Sequence, residues 1–422
     1  MKNLSFLFAL LFLVSSCKES LKRDSTVEPA IINTLAKARI DSVLKNFVDT
    51  KNIAGVSALI FEQGEEVYYN AYGYADLNSK KPMARNTIVQ IYSMTKPITG
   101  TALMTLYEEG KFKLDDAISK YLPEFSNMTV YTGVDSKGNV MTEPLKREVS
   151  IRDMTRHTAG FPSRADIPGL SELMIEADAM NRENTLTQMG EKMGQVPLWF
   201  QPGTQWEYGP CVDVQALLVE RISGIPYGEY VKKHILDPLE MSETRYFIPS
   251  DDRDRFAKMY IRKGEGDLVQ DSITYSNYTE YWPLTRGGSG LTSTLDNYMR
   301  FSQMLVNEGS LDSVEILKPE TIQLMATNQL ADSVTERSWL PTKGQVGFGI
   351  DFAVRVAPPK TPEENNGVVG EFYWDGAAST LFWIDPVNKL TAVLFVQLFP
   401  YDQIGLHKQF RDAVYGPYLF EK

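Results

Sequence analysis

Cysteine is nearly absent: Cys17 and Cys211 are the only two among 422 residues. That excludes a disulfide framework and a four-cysteine zinc site, and the pair lacks the close spacing of a zinc finger. Histidine is almost as scarce, at three, so any catalysis is expected to rest on other groups. Cationic charge is also short: 43 Lys plus Arg against 54 Asp plus Glu leave a net charge of −11. Such a chain repels phosphate backbones, which argues against a general nucleic-acid-binding role. No repeat at a 20 to 50 residue period is present, so a solenoid or propeller is disfavoured. What remains, 43% apolar and 23% charged residues, is the composition of a soluble globular chain able to bury a large core.

The N-terminus carries the one apolar run of note. Lys2 precedes Leu4 to Val14, apolar apart from Ser5, and small residues Ser15 and Ser16 lead to Cys17. Crossing a bilayer as a helix takes about 20 residues, so this run is expected to be a cleaved signal peptide over residues 1–16. Val14-Ser15-Ser16-Cys17 resembles a bacterial lipobox, which implies acylation of Cys17 and a lipid anchor in a cell-envelope membrane. The alternative is an ordinary secretory signal with a chance cysteine. Residues 17–34 are polar with little periodicity and read as a tether, leaving 35–422 as the functional domain. Cys211, without a partner, then reads as a small packed hydrophobe.

Strand signals sit at both ends of the body. Gly55 to Phe61, a Gln63-Gly64 turn and Val67 to Tyr72 predict a hairpin. Val346 to Val356, Gly370 to Tyr373, Leu381 to Ile384 and Leu390 to Leu398 predict a second β-rich block, and a last helix places His407, Phe410, Val414 and Tyr418 on one face. Between them lie helical stretches: Pro97 to Glu109, Ile151 to His157, Val212 to Ser223, Tyr227 to Ile235 and Leu295 to Val306. The pattern predicts an α+β fold, one antiparallel sheet built from both chain ends and flanked by helices, with a mainly helical subdomain inserted. Length alone suggests two or three domains; the nesting favours one composite unit.

Chemistry concentrates at Ser93-Met94-Thr95-Lys96-Pro97. Pro97 suits the first turn of a helix, which puts Ser93 at its start and Lys96 one turn on, along the same face. A serine hydroxyl becomes a nucleophile when a nearby base takes its proton, and a lysine amine can do so once burial lowers its pKa. Standing alone, this spacing is a weak signal and fits an N-cap followed by a solvated lysine better.

The surroundings decide between them. Ser93 to Thr99, then Leu106 to Asp116, Met154-Thr155-Arg156-His157-Thr158-Ala159-Gly160, Pro202-Gly203-Thr204 before Tyr208, Asp237-Pro238-Leu239, Gly287-Gly288-Ser289-Gly290-Leu291 and Trp374-Asp375-Gly376 occur in order along the chain. Together they resemble the serine β-lactamase-related family: class C β-lactamases, penicillin-binding proteins and family VIII carboxylesterases. The resemblance implies a β-lactamase/transpeptidase-like fold and acyl-enzyme catalysis on a small-molecule ester or amide, with no cofactor and no metal. Ser93 would be the nucleophile, Lys96 and Tyr208 the proton handlers, and the amides of Ser93 and Ala377 the oxyanion hole. Two motifs depart from the pattern. Tyr208-Gly209-Pro210 lacks the asparagine of Tyr-x-Asn, and Trp374-Asp375-Gly376 lacks the lysine of K-T-G. Gly376 would let a bound carbonyl approach the strand, and Trp374 would offer substrate an apolar wall where the family has a cation. Those losses favour ester hydrolysis; a D,D-peptidase or weak β-lactamase and a catalytically inactive, lipid-anchored binding protein are the alternatives. Tyr208 is expected to have its pKa reduced by a neighbouring ammonium, His157 to support a loop through its ring N–H, and the glycine-rich 287–290 to form a close-packed turn beside the cleft. Tyr275, Tyr278, Tyr281 and Trp282 either line a pocket or cap the core.

Overall fold

The computed structural model describes residues 30–271 and 277–418; the signal and lipidation expectations, Cys17 included, and Tyr275 lie outside them. Helix α1 (Thr34–Asp49) starts where the Asn33 side chain accepts the Ala36 N–H, and it buries Ala36, Ile40, Leu44 and Phe47 along one stripe. The Ile31 and Ile32 amides donate to the Glu62 carboxylate at 2.7 and 3.1 Å. Residues 31–34 of the expected tether are therefore held on the body.

Strands β1 (Gly55–Glu62) and β2 (Glu65–Asp76) form the expected hairpin. Gln63 (φ 55°) and Gly64 (φ 84°) make the tight turn, both left-handed as a two-residue hairpin loop demands. With β3 (Lys81–Pro82), β4 (Val346–Phe348), β5 (Ala353–Arg355), β6 (Phe372–Asp375), β7 (Leu381–Asp385) and β8 (Leu390–Val396) they form one eight-stranded sheet in the order β4-β5-β6-β7-β8-β1-β2-β3. Every pairing is antiparallel. The two chain ends meet at β1 and β8, with Val56 opposite Val396 and Ile60 opposite Ala392. All seven residues of β8 are buried, so both faces of the sheet centre are covered. Helix α5 (Leu406–Tyr415) packs on α1, and α4 (Leu295–Val306) lies along β7 and β8.

Inserted between the strand blocks are α2 (Thr95–Glu108), α3 (Cys211–Ser223) and shorter helices. Helix α2 is buried over most of its length, with Lys96, Thr99 and Gly100 inside it as well as its apolar residues, and it packs on α3. The structure corrects several boundaries. The run Val346 to Val356 is broken at Asp351, whose φ of 58° turns the chain into a hairpin. The strand expected from Gly370 begins at Phe372, and that expected to reach Leu398 ends at Val396; Leu398–Phe399 instead pairs in parallel with Tyr260 and Ile261. Helix α5 stops at Tyr415 before Gly416, leaving Tyr418 outside it. The inserted region also contains two hairpins, Thr129–Val134 with Val140–Pro144 and Met259–Gly264 with Asp267–Asp271, whose half-exposed strands carry too little apolar alternation to be seen in sequence.

Candidate active site

Ser93 lies in a short 3₁₀ turn, Tyr92–Met94, immediately before α2. Tyr92 holds φ 46°, a left-handed conformation costly for an aromatic residue, and its ring packs edge-on against Phe399 at 5.5 Å. Packing thus fixes a strained backbone directly before the serine. The Lys96 amine lies 3.2 Å from Ser93 Oγ and donates to the Gly288 carbonyl at 2.7 Å. Burial pushes its pKa down to about 8; Asp213 works against that and Arg286 with it. As a neutral amine it has a lone pair for the Ser93 proton and a hydrogen for Gly288.

The 286–291 loop is stitched around this lysine. Thr99 Oγ1 donates to the Gly287 carbonyl at 2.7 Å, and the Gly288 N–H donates to Asp213 Oδ1 at 2.9 Å. Asp213 is buried and held in turn by Arg286, at 3.1 and 3.2 Å. A Cβ on Gly287 would collide with the Val212 carbonyl oxygen, and one on Gly288 would fall 2.9 Å from Asp213 Oδ2. The glycines therefore serve close packing, as the sequence suggested. One residue links the carboxylate to the amine without a direct ion pair: the Gly288 N–H points to Asp213, and its C=O accepts from Lys96.

Tyr208 completes the cluster, with Lys96 Nζ 4.6 Å from its ring centroid and its hydroxyl within hydrogen-bond reach of Ser93. Here the structure overturns an expectation. Burial raises the Tyr208 pKa well above 10, so the resting phenol is neutral and a proton donor. The Trp374 indole N–H donates to the Tyr208 hydroxyl at 3.2 Å, and that arrangement leaves the phenol proton free for Ser93 or a ligand. Trp374 is itself only 1% exposed, packed against Tyr208, Trp339 and Phe348. It therefore supports Tyr208 and does not present the open wall to substrate that its motif position suggested. Trp339, 37% exposed, is the accessible aromatic of the group.

Gly376 follows β6, where a Cβ would lie 2.5 Å from the Ile91 carbonyl oxygen. This contact brings the start of the 376–380 turn against the residues that lead into Ser93. Gly376 N–H donates to Thr380 O and Ser379 N–H to Gly376 O, both at 2.9 Å. Among the described residues the Ser93 and Ala377 amides donate to no protein acceptor.

His157 is fully buried with its ring 4.7 Å from that of Tyr208. Its Nδ1 accepts the Gly209 N–H at 3.5 Å, where sequence reasoning expected the ring to donate, and burial with the Lys96 charge pushes its pKa well down. Cys211 is likewise buried, its thiol pKa raised by burial, as expected of a packed hydrophobe. Lys343 is a feature no motif announced. From a 3₁₀ turn far from any family block, its buried ammonium pairs with Asp375 and lies 5.0 Å from the Trp374 ring. A cation thus returns beside the position where K-T-G would supply one, but a carboxylate already neutralises it.

Two cavities flank the cluster. One, of about 400 Å³ and mostly apolar, adjoins Pro210 and is lined by Phe161, Met174, Met180 and Val196 among others. The other, of about 380 Å³, is lined by Tyr92, Ser289 and Gly290 beside the nucleophile and reaches Arg182 and Trp282.

Comparison with known proteins agrees with this picture. The Beta-lactamase family profile matches residues 40–414. An uncharacterized protein of Mycobacterium tuberculosis is 30% identical over 361 residues, covering 85% of this chain and 89% of its own. Esterase EstB of Burkholderia gladioli is 28% identical over 407 residues, covering 90% and 95%. The solved structure of EstCE1, described as a hydrolase with promiscuous acyltransferase activity, has a TM-score of 0.73 at 25% identity and covers 90% of this chain and 98% of its own. With the serine, the lysine and the antiparallel sheet already in place, a match over nearly all of the folded chain puts this protein in the beta-lactamase family, as a hydrolase of the β-lactamase/transpeptidase fold.

Proposed function

We propose that the protein is a serine hydrolase that cleaves small carboxylic esters through an acyl-enzyme, exported and held to a cell-envelope membrane by a lipid on Cys17. The observation that carries the catalytic part is the desolvated Lys96 amine 3.2 Å from Ser93 Oγ. Ser93 Oγ attacks the ester carbonyl carbon while Lys96 takes the hydroxyl proton. The carbonyl oxygen becomes an oxyanion facing the Ser93 and Ala377 amides. As the tetrahedral centre collapses, the carbon–alkoxide bond breaks and the alkoxide leaves as the alcohol. Its proton comes from the Lys96 ammonium, with the neutral Tyr208 hydroxyl as relay. Water repeats the sequence on the acyl-enzyme, which releases the carboxylic acid and returns Ser93 to its hydroxyl form.

Preference for esters over β-lactams or peptides is supported by the strand motif. A substrate carboxylate has no free lysine there, because Lys343 is paired with Asp375. The names of relatives such as Esterase EstB point the same way. Rates on p-nitrophenyl acetate and butyrate, set beside a chromogenic cephalosporin, test this reading: ester turnover abolished by Ser93→Ala supports it, and turnover of the cephalosporin alone overturns it. For the anchor, detergent-phase partitioning of the full chain expressed in a bacterium should be lost in Cys17→Ser; equal partitioning of both would remove the lipid from the account.

A further inference from the structure

The cavity of about 380 Å³ beside Tyr92 is lined by hydroxyls, which donate and accept, and by two arginines, which only donate. Among the described residues no Asp or Glu lines it, although acidic residues outnumber basic ones in this chain. Two guanidinium groups do, from Arg182 and Arg286. Arg286 spends its charge on Asp213. Arg182 has no carboxylate partner and no side-chain hydrogen bond among the described residues; its guanidinium only overlies the Trp282 ring, 5.6 Å from the centroid. Burial and the Arg286 charge both work against its protonated form, which lowers its pKa, yet an arginine stays charged. The Trp282 indole N–H also has no hydrogen-bond partner among the described residues, but it is fully buried and does not face the open cavity.

A half-buried cation with no counter-ion among the described residues is an expensive arrangement that a bound anion relieves. A carboxylate matches the unpaired cation: it accepts two parallel bonds from a guanidinium fork. The cavity is lined by Tyr92, the residue before Ser93, and by Ser289 and Gly290 of the 287–291 loop, so a group that fills it lies next to the turn that carries the nucleophile. We propose that this cavity is a subsite for a carboxylate borne by the substrate, with Arg182 as its ion-pair partner, so that the preferred substrates are half-esters or esters of carboxylated alcohols. This rests on the esterase reading given above. Recognition of the anion moves from the sheet edge, where Asp375 occupies Lys343, to the inserted helical region.

The test compares esters that differ in one carboxylate: mono-p-nitrophenyl adipate against p-nitrophenyl hexanoate for the acyl side, and 4-acetoxybenzoate against phenyl acetate for the alcohol side. The ratio of kcat/KM, anionic over neutral, should fall about tenfold or more in Arg182→Gln for at least one pair. Arg182→Lys should retain part of it. Ratios within twofold of wild type for both pairs overturn the subsite. A second arm needs no turnover: monomethyl adipate and 4-acetoxybenzoate are titrated by calorimetry into Ser93→Ala and into Ser93→Ala/Arg182→Gln. Binding lost with Arg182 supports the subsite even where no ester is hydrolysed, an outcome that defeats only the esterase reading; no binding of either anion to Ser93→Ala defeats the subsite. Circular dichroism of each variant establishes that it is folded.

Discussion

If Lys96 is the base, its titration should govern the rate. Burial brings its pKa to about 8 from the 10.5 of an exposed lysine, which multiplies the neutral amine at pH 7 roughly 300-fold. The reactive form is the neutral one, so activity is gained as pH rises through the pKa and lost below it. At pH 7 about one molecule in ten carries the neutral amine, and at pH 6 about one in a hundred. For p-nitrophenyl acetate, kcat/KM should therefore climb close to tenfold between pH 6 and 7 and level off above about 8.5. Asp213, Arg286, Asp351, Cys211, Tyr208 and His157 are the titratable or charged groups around the amine. Two of them give the sign test. Arg286→Gln removes a cation that opposes protonation and leaves the Asp213 charge uncompensated, so the midpoint should move to higher pH. Asp213→Asn should move it lower. The assay is initial rate against pH at substrate well below KM, with each variant checked for fold. A flat profile from pH 6 to 8, a midpoint near 10, or an Arg286→Gln midpoint displaced downward would refute the reasoning.

Other outcomes follow from the same contacts. Tyr208→Phe removes the relay and leaves the Trp374 indole N–H unsatisfied: kcat/KM should fall about 10²- to 10⁴-fold while stability to urea drops by about 1–3 kcal/mol, and a loss under tenfold in rate would count against the relay. Gly376→Ala should cut the acylation rate, because the new Cβ meets the Ile91 carbonyl oxygen and Thr380 Oγ1 and displaces the turn that presents the Ala377 amide; single-turnover kinetics on a folded variant would show it. Far from the site, Glu371→Gln should destabilise the fold by about 3–5 kcal/mol in urea titration, since Glu371 is the buried counter-ion shared by the buried Arg355 and Arg411, and an unchanged midpoint would contradict that role.

What the sequence revealed was what is local. The β1–β2 hairpin was visible because two left-handed turn residues, Gln63 and Gly64, interrupt two apolar runs, and the Ser93–Lys96 pair because both lie on one turn of chain. Pairings made by the folded chain over long separations were not visible. Lys343 meets Asp375 across 32 positions, and Asp213 meets Gly288 across 75. Neither has a motif. The direction of the Tyr208 pKa was misjudged for the same reason: the ammonium was foreseen, but the burial that outweighs it comes from rings such as His157, Trp206, Trp339 and Trp374, which only the tertiary fold assembles. Trp374 was assigned to substrate because a motif position says which residue occupies the strand, not which neighbours cover its ring. Asp351 broke an expected strand because its run of apolar neighbours is equally compatible with a buried turn.

All of this depends on Ser93 being the group that is acylated. The direct measurement is intact-protein mass spectrometry of the full chain after exposure to a fluorophosphonate, followed by peptide mapping. The account predicts one phosphonyl adduct, on Ser93, absent in Ser93→Ala and slowed at least tenfold in a folded Lys96→Ala variant. A folded wild-type protein that takes up no label, or takes it up on another residue, would contradict it.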